Sequence, residues 1–316
     1  MIKSIMKIQM IVLAVIMCLA FPKAVNGASY LMISDLGTSA EVIRRGNIEG
    51  FSTGANSVFE NPAGLYRVKR LSSSVFATQL MQEVTYRNVA VAFNSGLGVF
   101  ALGYMDAGVD DIITTRKVGE GDNATIVADG VFSYKNRVIK FGYQNSLTES
   151  FHLGVNVSGY LNEIHTYLGM GYNMDAGLVY QFSGLEMSLF ARNIIPLKVT
   201  YTDSEDPDYV GEEEMPLQVV FGASYGFGDI DIMGQIKFDG VNSLMSAGVE
   251  YQPQFLWNVL SISAGYKEYS VLDKISNTVT LGAGIHLFGV SLDYAYEQSD
   301  HFEYDTNSFA SVGFNF

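Results

Sequence analysis

The chain has 316 residues, 48% hydrophobic and 13% aromatic, with a formal charge of −14, 32 glycines, 6 prolines and 1 cysteine. That acidity excludes a nucleic-acid binder, because the phosphates would be repelled, and a single cysteine excludes a disulfide framework. Many glycines and few prolines suit a β-protein rich in tight turns.

Residues 1–27 read as a secretory signal peptide. Lys3 and Lys7 supply the positive start, Ile8 to Phe21 the apolar run, and Val25 and Gly27 the small residues before a cut at Ala28. The run is short for a spanning helix. Cys18 lies inside it, behind Met17, and does not fit a lipid-attachment site. Processing would remove Lys3, Lys7 and Lys23 and no acid, leaving a cysteine-free and still more acidic chain. No later stretch approaches the length of a transmembrane helix, so a membrane form must be a closed barrel.

Residues 28–69 lack strand alternation. They hold a short helical pattern over Thr38 to Ile48, then Gly50, Gly54 and the run Asn61, Pro62, Ala63, Gly64, Leu65. Phe51, Val58, Phe59 and Leu65 argue against a solvated tail. In the run, Asn favours a turn, Pro fixes φ, and Gly64 allows backbone that bulkier residues avoid.

Residues 70–316 break into fourteen alternating segments, which predicts an all-β fold: a transmembrane antiparallel barrel of about fourteen strands. In 278–287, Val279, Leu281, Ala283, Ile285 and Leu287 oppose Thr280, Gly282, Gly284 and His286. In 290–297, Val290, Leu292, Tyr294 and Tyr296 oppose Ser291, Asp293, Ala295 and Glu297. Apolar faces nearly free of charge, polar faces rich in small residues, and connections alternating between tight turns and longer polar loops are the habit of outer-membrane barrels. The longer loops are expected near 107–123, 162–169, 194–214, 268–276 and 299–306. A barrel this wide cannot be filled by its own side chains, so 28–69 is expected to plug it.

One segment breaks phase. In 124–143, Phe132 and Tyr134 differ in parity from Ile139, Phe141 and Tyr143, which implies a wall bulge near Lys135, Asn136 and Arg137, or else an extra hairpin. The final segment alternates to the last residue, with Val312, Phe314 and Phe316 on its apolar face.

Parity places Glu186, Arg192, Asp231, Lys237, Glu250, Lys267, His286, Asp293 and Glu297 in the lumen, as an ion-pair network that anchors the plug or lines a path. The acidic loop with Asp203, Glu205, Asp206, Asp208 and Glu212 to Glu214 matches no calcium-loop spacing and reads as a solvated surface. The four histidines are scattered without metal-ligand spacing. No metal, no cofactor and no enzymatic activity are expected.

Arg45-Gly46-Asn47 and Ser57 through Leu65 resemble the N-terminal hatch of the long-chain fatty-acid transporter (FadL) superfamily. Gly248-Val249-Glu250-Tyr251, Ala264-Gly265-Tyr266-Lys267 and Leu292-Asp293-Tyr294-Ala295-Tyr296 resemble its PorV/PorQ branch more closely still. The resemblance implies a cell-outer-membrane location, passive uptake of hydrophobic compounds, and a movable hatch. It also implies ligand exit through the pore or sideways at a wall defect, for which 135–137 would be the place. By the same resemblance, Val312, Phe314 and Phe316 would serve as the signal to the barrel assembly machinery. Outer-membrane lipids and a hydrophobic ligand would be partners. The PorV-like alternative is a secretion component that binds exported cargo proteins. At 316 residues the chain is short for a fatty-acid transporter.

Overall fold

The computed structural model describes residues 36–80, 83–119, 124–271, 274–299 and 306–316. The signal-peptide expectation lies outside the described residues, as does the start of the 28–69 segment.

The chain first makes a helical turn, α1 (Ala40–Ile43), and two 3-10 turns, Gly54–Phe59 and Pro62–Arg67. Seven strands follow: β1 (Leu71–Leu80), β2 (Val84–Asn94), β3 (Val99–Val118), β4 (Thr125–Thr148), β5 (Phe151–Ile164), β6 (Tyr167–Phe182) and β7 (Leu185–Arg192). A short pair, β8 (Lys198–Asp203) and β9 (Val210–Glu214), precedes β10 (Gln218–Phe227), β11 (Ile230–Phe238) and β12 (Ser243–Tyr251). The last four are β13 (Leu260–Val271), β14 (Lys274–Leu287), β15 (Val290–Ser299) and β16 (Thr306–Asn315).

Fourteen of these strands close an antiparallel barrel, with β1 paired to β16 at the seam. Closure removes every free edge within the wall, the condition for backbone to sit in hydrocarbon. The terminal strand carries that seam: Val312 pairs with Val75 and Phe314 with Ser73. The Phe316 amide donates to the Leu71 carbonyl at 2.8 Å.

Side chains alternate as a two-residue period demands. On β2, Tyr86, Asn88, Ala90 and Ala92 are buried inside, while Val89, Val91 and Phe93 stand exposed outside. The same holds on β14, where Val279, Leu281 and Ile285 face out. This apolar outer belt around a closed sheet gives the protein an outer-membrane location.

Three sequence expectations are corrected. The wall is in continuous register across Lys135, Asn136 and Arg137, which pair with Gly108, Ala107 and Asp106 on one side and Glu163, Asn162 and Leu161 on the other. The register shifts fall instead between Val109 and Ile112 and between Thr114 and Thr115, with Asp111 in a left-handed conformation at φ 59°. Phe132 and Tyr134 keep the inward parity of Asn136 and Val138. Tyr134 pairs with Ile164, the last residue of β5, and Phe132 lies beyond that pairing, at the end of the stretch that β5 covers.

Second, the expected loops at 107–123 and 268–276 are largely strand, and β5 and β6 join through two residues, His165 and Thr166, inside the loop expected at 162–169. β-branched runs such as Ile112 to Thr115 favour pairing, which satisfies backbone groups that a loop would leave to water. Third, 194–214 holds a hairpin. Near Pro196 and Pro216 the chain jogs, so that β8 takes the place beside β6 that β7 leaves.

Candidate functional site

Residues 36–69 occupy the barrel interior and are almost wholly buried there. The short α1 starts at Ser39, whose hydroxyl accepts from the Val42 amide, and ends two residues before Gly46, at φ 80°. This turn delivers two successive cations, Arg44 and Arg45, to one side of the wall. Arg44 lies 2.6 Å from Glu250, 3.1 Å from Asp293 and 3.0 Å from the Ser263 hydroxyl. Arg45 pairs with Glu41 at 2.7 Å and Glu250 at 3.5 Å.

Glu49 makes the reverse contact, an acid of the segment held by cations of the wall. It pairs with Arg192 and lies 3.9 Å from Lys237, and its amide donates to Gln235 at 2.7 Å. Arg192 also donates to the Phe59 carbonyl at 3.1 Å. Such pairs must be well made, because breaking one leaves a charge buried alone.

Glu60 organises the segment internally. Its carboxylate accepts from Thr38 at 2.9 Å, Asn56 at 2.7 Å, the Gly50 amide at 2.8 Å and the Ser52 hydroxyl. Burial pushes its carboxyl up to about 7, against the hydrogen bonds from Ser52 and Gly50, which favour the ionised form.

The Asn61–Leu65 run joins the segment to β5, β6 and β7. Asn61 caps Ala63 through Oδ1 at 3.0 Å, while its Nδ2 donates to the Leu178 carbonyl at 3.0 Å and Ser188 at 2.8 Å. Pro62 opens the next 3-10 turn, and the Gly64 amide donates to Asn61 O at 2.9 Å. Leu65 is fully enclosed with Val58 and Phe59. The wall makes room with glycine: a Cβ on Gly154 would fall on the backbone of Pro62 and Ala63, and one on Gly265 on that of Gly46.

At the end of the segment Glu186 accepts from Arg67, from Tyr66 at 3.1 Å and from Gln181 at 3.1 Å. Tyr66 stacks on His152, centroids 3.8 Å apart, and His152 Nδ1 lies 2.8 Å from the Ser146 hydroxyl. A cavity of about 400 Å³, lined by Ser150, Gln181, Phe182 and Glu186, opens beside this latch at the short-turn rim.

The remaining lumen residues named from sequence sit as follows. Lys267 pairs with Glu297 at 2.9 Å, and His286 Nε2 lies 3.6 Å from Asp293. Asp231 is the cross-strand partner of Glu250 and is half-buried. Of the residues expected at a wall bulge rather than in the lumen, Arg137 reaches Glu163 at 2.9 Å and Asp106 at 3.6 Å, and Lys135 reaches Asp110 at 3.5 Å. Sequence reasoning did not single out Arg44, Glu49 or Glu60 as anchors, nor Lys140 with Asp175 at 2.6 Å. The available signal was two adjacent arginines in a segment without strand alternation, facing a wall whose inward parity holds acids.

No protein-family model matches the chain, and no curated protein matches it in sequence. Solved structures do match in fold. The toluene transporter TbuX of Ralstonia pickettii superposes with a TM-score of 0.58 at 12% identity, covering 89% of this chain and 98% of that one. The toluene transporter TodX of P. putida gives 0.59 at 13% identity, covering 89% and 99%. At these identities the likeness is one of fold.

Proposed function

We propose that this barrel is a passive conduit for small hydrophobic compounds across the outer membrane, of the FadL kind, with residues 36–69 as its hatch. The observation that carries the reading is how the lumen is filled. The segment is held by ion pairs and hydrogen bonds on wall side chains, chiefly Arg44 with Glu250 and Glu49 with Arg192. Its apolar contacts cluster around Val58, Phe59 and Leu65. A segment built only to stabilise a barrel has no need of so many buried charges, which cost desolvation without adding net stability over an apolar core. Charged contacts suit a part that must seat in one register and leave it. The toluene-transporter fold supports the same reading.

On this reading Asn61 to Leu65 form the hatch's hinge against β5 to β7. The lumen residues Glu186, Arg192, Lys237, Glu250 and Asp293 are its anchors. Flow follows the gradient of the compound.

The test is uptake of labelled toluene and labelled long-chain fatty acid by a host lacking its own transporter, with and without the full chain. Uptake above the empty host supports the conduit. Background uptake of both, with the barrel shown to be inserted, removes it.

One observation favours a second reading, a PorV-like partner that receives exported proteins at its outer rim. Beyond Gly108 and Tyr134, β3 and β4 continue as a two-stranded ribbon that pairs with no other described strand. Its exposed Ile113, Ile126 and Val131 would meet cargo. Capture of cargo that is lost on trimming this ribbon, without any change in uptake, would favour that role.

A further inference from the structure

Lys135 and Arg137 each find a carboxylate, but Asn136 between them finds nothing. It shares the inward parity of Val138 and is 1% exposed, and neither its Nδ2 nor its Oδ1 has a hydrogen-bond partner among the described residues. The cross-strand neighbour Asn162 stands within reach in register, yet it donates to the Tyr201 hydroxyl at 2.7 Å instead. Asn88, two strands away on β2, repeats the pattern. Its Nδ2 donates to the Thr38 carbonyl at 2.9 Å, while its buried Oδ1 is left without a partner.

An amide hidden from water with both ends unpaired is costly, and a leucine would close the same space without that cost. The surroundings sharpen the point. On the inward face Asn136 adjoins Ala107 of β3, and the next rung holds Met105, Val138 and Tyr160. These four are buried in one apolar cluster, and none carries a charge. Met105 is unbranched and pliable, so it can yield room to a guest. An apolar enclosure with one or two convergent polar groups is the ordinary form of a small-molecule site.

We propose that Asn136 is the polar contact of a ligand site at the long-loop end of the lumen. The compounds it selects have a small apolar body and one neutral head that carries a hydrogen-bond donor beside an acceptor, a primary carboxamide being the simplest. Asn136 Nδ2 donates to the carbonyl of that head and Oδ1 accepts from its N–H, while the body lies on Met105, Val138 and Tyr160. A hydrocarbon of the same size leaves the Asn136 amide unpaired and binds less well. The proposal rests on the conduit reading and narrows its substrate class.

The test is competition for uptake of labelled toluene by a host lacking its own transporter and carrying the full chain. Unlabelled benzamide should half-block uptake at a concentration roughly tenfold or more below that of ethylbenzene, the scale of two neutral hydrogen bonds. In N136L, with insertion verified by heat-modifiable migration, that advantage should vanish while toluene uptake persists. Benzamide that competes no better than ethylbenzene against the wild-type chain overturns the site and leaves the conduit standing. An inserted N136L that keeps the preference overturns it equally, and should N136L fail to insert, the wild-type comparison decides. Absence of toluene uptake by the wild-type chain falls on the conduit itself, and the site goes with it.

Discussion

Arg44 and Glu250 meet at 2.6 Å between the luminal segment and β12, more than two hundred residues apart in sequence, and each is nearly excluded from solvent. The pair joins a part with no strand of its own to a wall that the backbone ladder already holds. Arg44→Ala should therefore leave the barrel intact and weaken seating of the segment by about 3–5 kcal/mol, because Glu250 and Asp293 lose their shared cation. The check is limited proteolysis together with single-channel conductance of the refolded full chain. Native heat-modifiable migration with new cleavage between 36 and 69, and raised conductance, is the expected result. The double variant Arg44→Ala/Glu250→Gln should recover part of the loss.

The wall was legible because membrane solvent imposes parity on every strand. Glu250 and Asp293 read inward from sequence, since oily neighbours at alternate positions leave them nowhere else to go. Their partners were not legible: Arg44, Arg45 and Glu49 lie in a segment without strand alternation, and only the fold brings them to β12, β15 and β7. Parity also misled where its cause lapses. Phe132 and Tyr134 sit at or beyond the end of β5, where an inward residue need not be polar, and the apparent phase slip is no break in the wall. The hairpin over 198–214 was hidden by Pro196 and Pro216 at its base and by its acidic second strand.

Close approach of backbone to backbone makes a second test. Pro62 and Ala63 lie directly against Gly154, while Gly159, farther along the same strand, has open space at its Cβ position. Gly154→Val should unseat the Asn61–Leu65 run at a cost of about 3 kcal/mol, since neither backbone can yield. Gly159→Val should be nearly silent. Hydrogen exchange at residues 56–66 reads the difference, and equal protection in the two variants would refute the packing argument.

Glu60 gives the segment a pH dependence of definite sign. Burial raises its carboxyl from 4.5 to about 7 in the folded protein. The native state then binds more protons than the unfolded state between these values, so seating weakens as pH rises. The stabilisation is complete below about pH 4.5, falls through 7 and is flat above, a total on the order of 3 kcal/mol. Exchange protection of residues 50–60, followed from pH 4.5 to 8.5, should decline along that course. Glu60→Gln should abolish the slope. A slope of opposite sign would mean that the four donors around the carboxylate outweigh its burial.

Phe288 separates backbone cost from membrane gain. Its φ of 51° precedes Gly289 at 79°, a pair of left-handed residues closing a two-residue hairpin between β14 and β15. Asn adopts this conformation more readily than an aromatic, so Phe288→Asn should stabilise the barrel in detergent by ~1 kcal/mol. In detergent micelles the ring has no ordered interface to bed in, and only the turn counts. In vesicles the same change removes an exposed aromatic from the rim, and the gain should shrink or reverse. Thermal unfolding followed by heat-modifiable migration in both settings measures the two terms. Equal gains in micelle and bilayer would show that the ring contributes nothing at the membrane and that the turn alone governs the position.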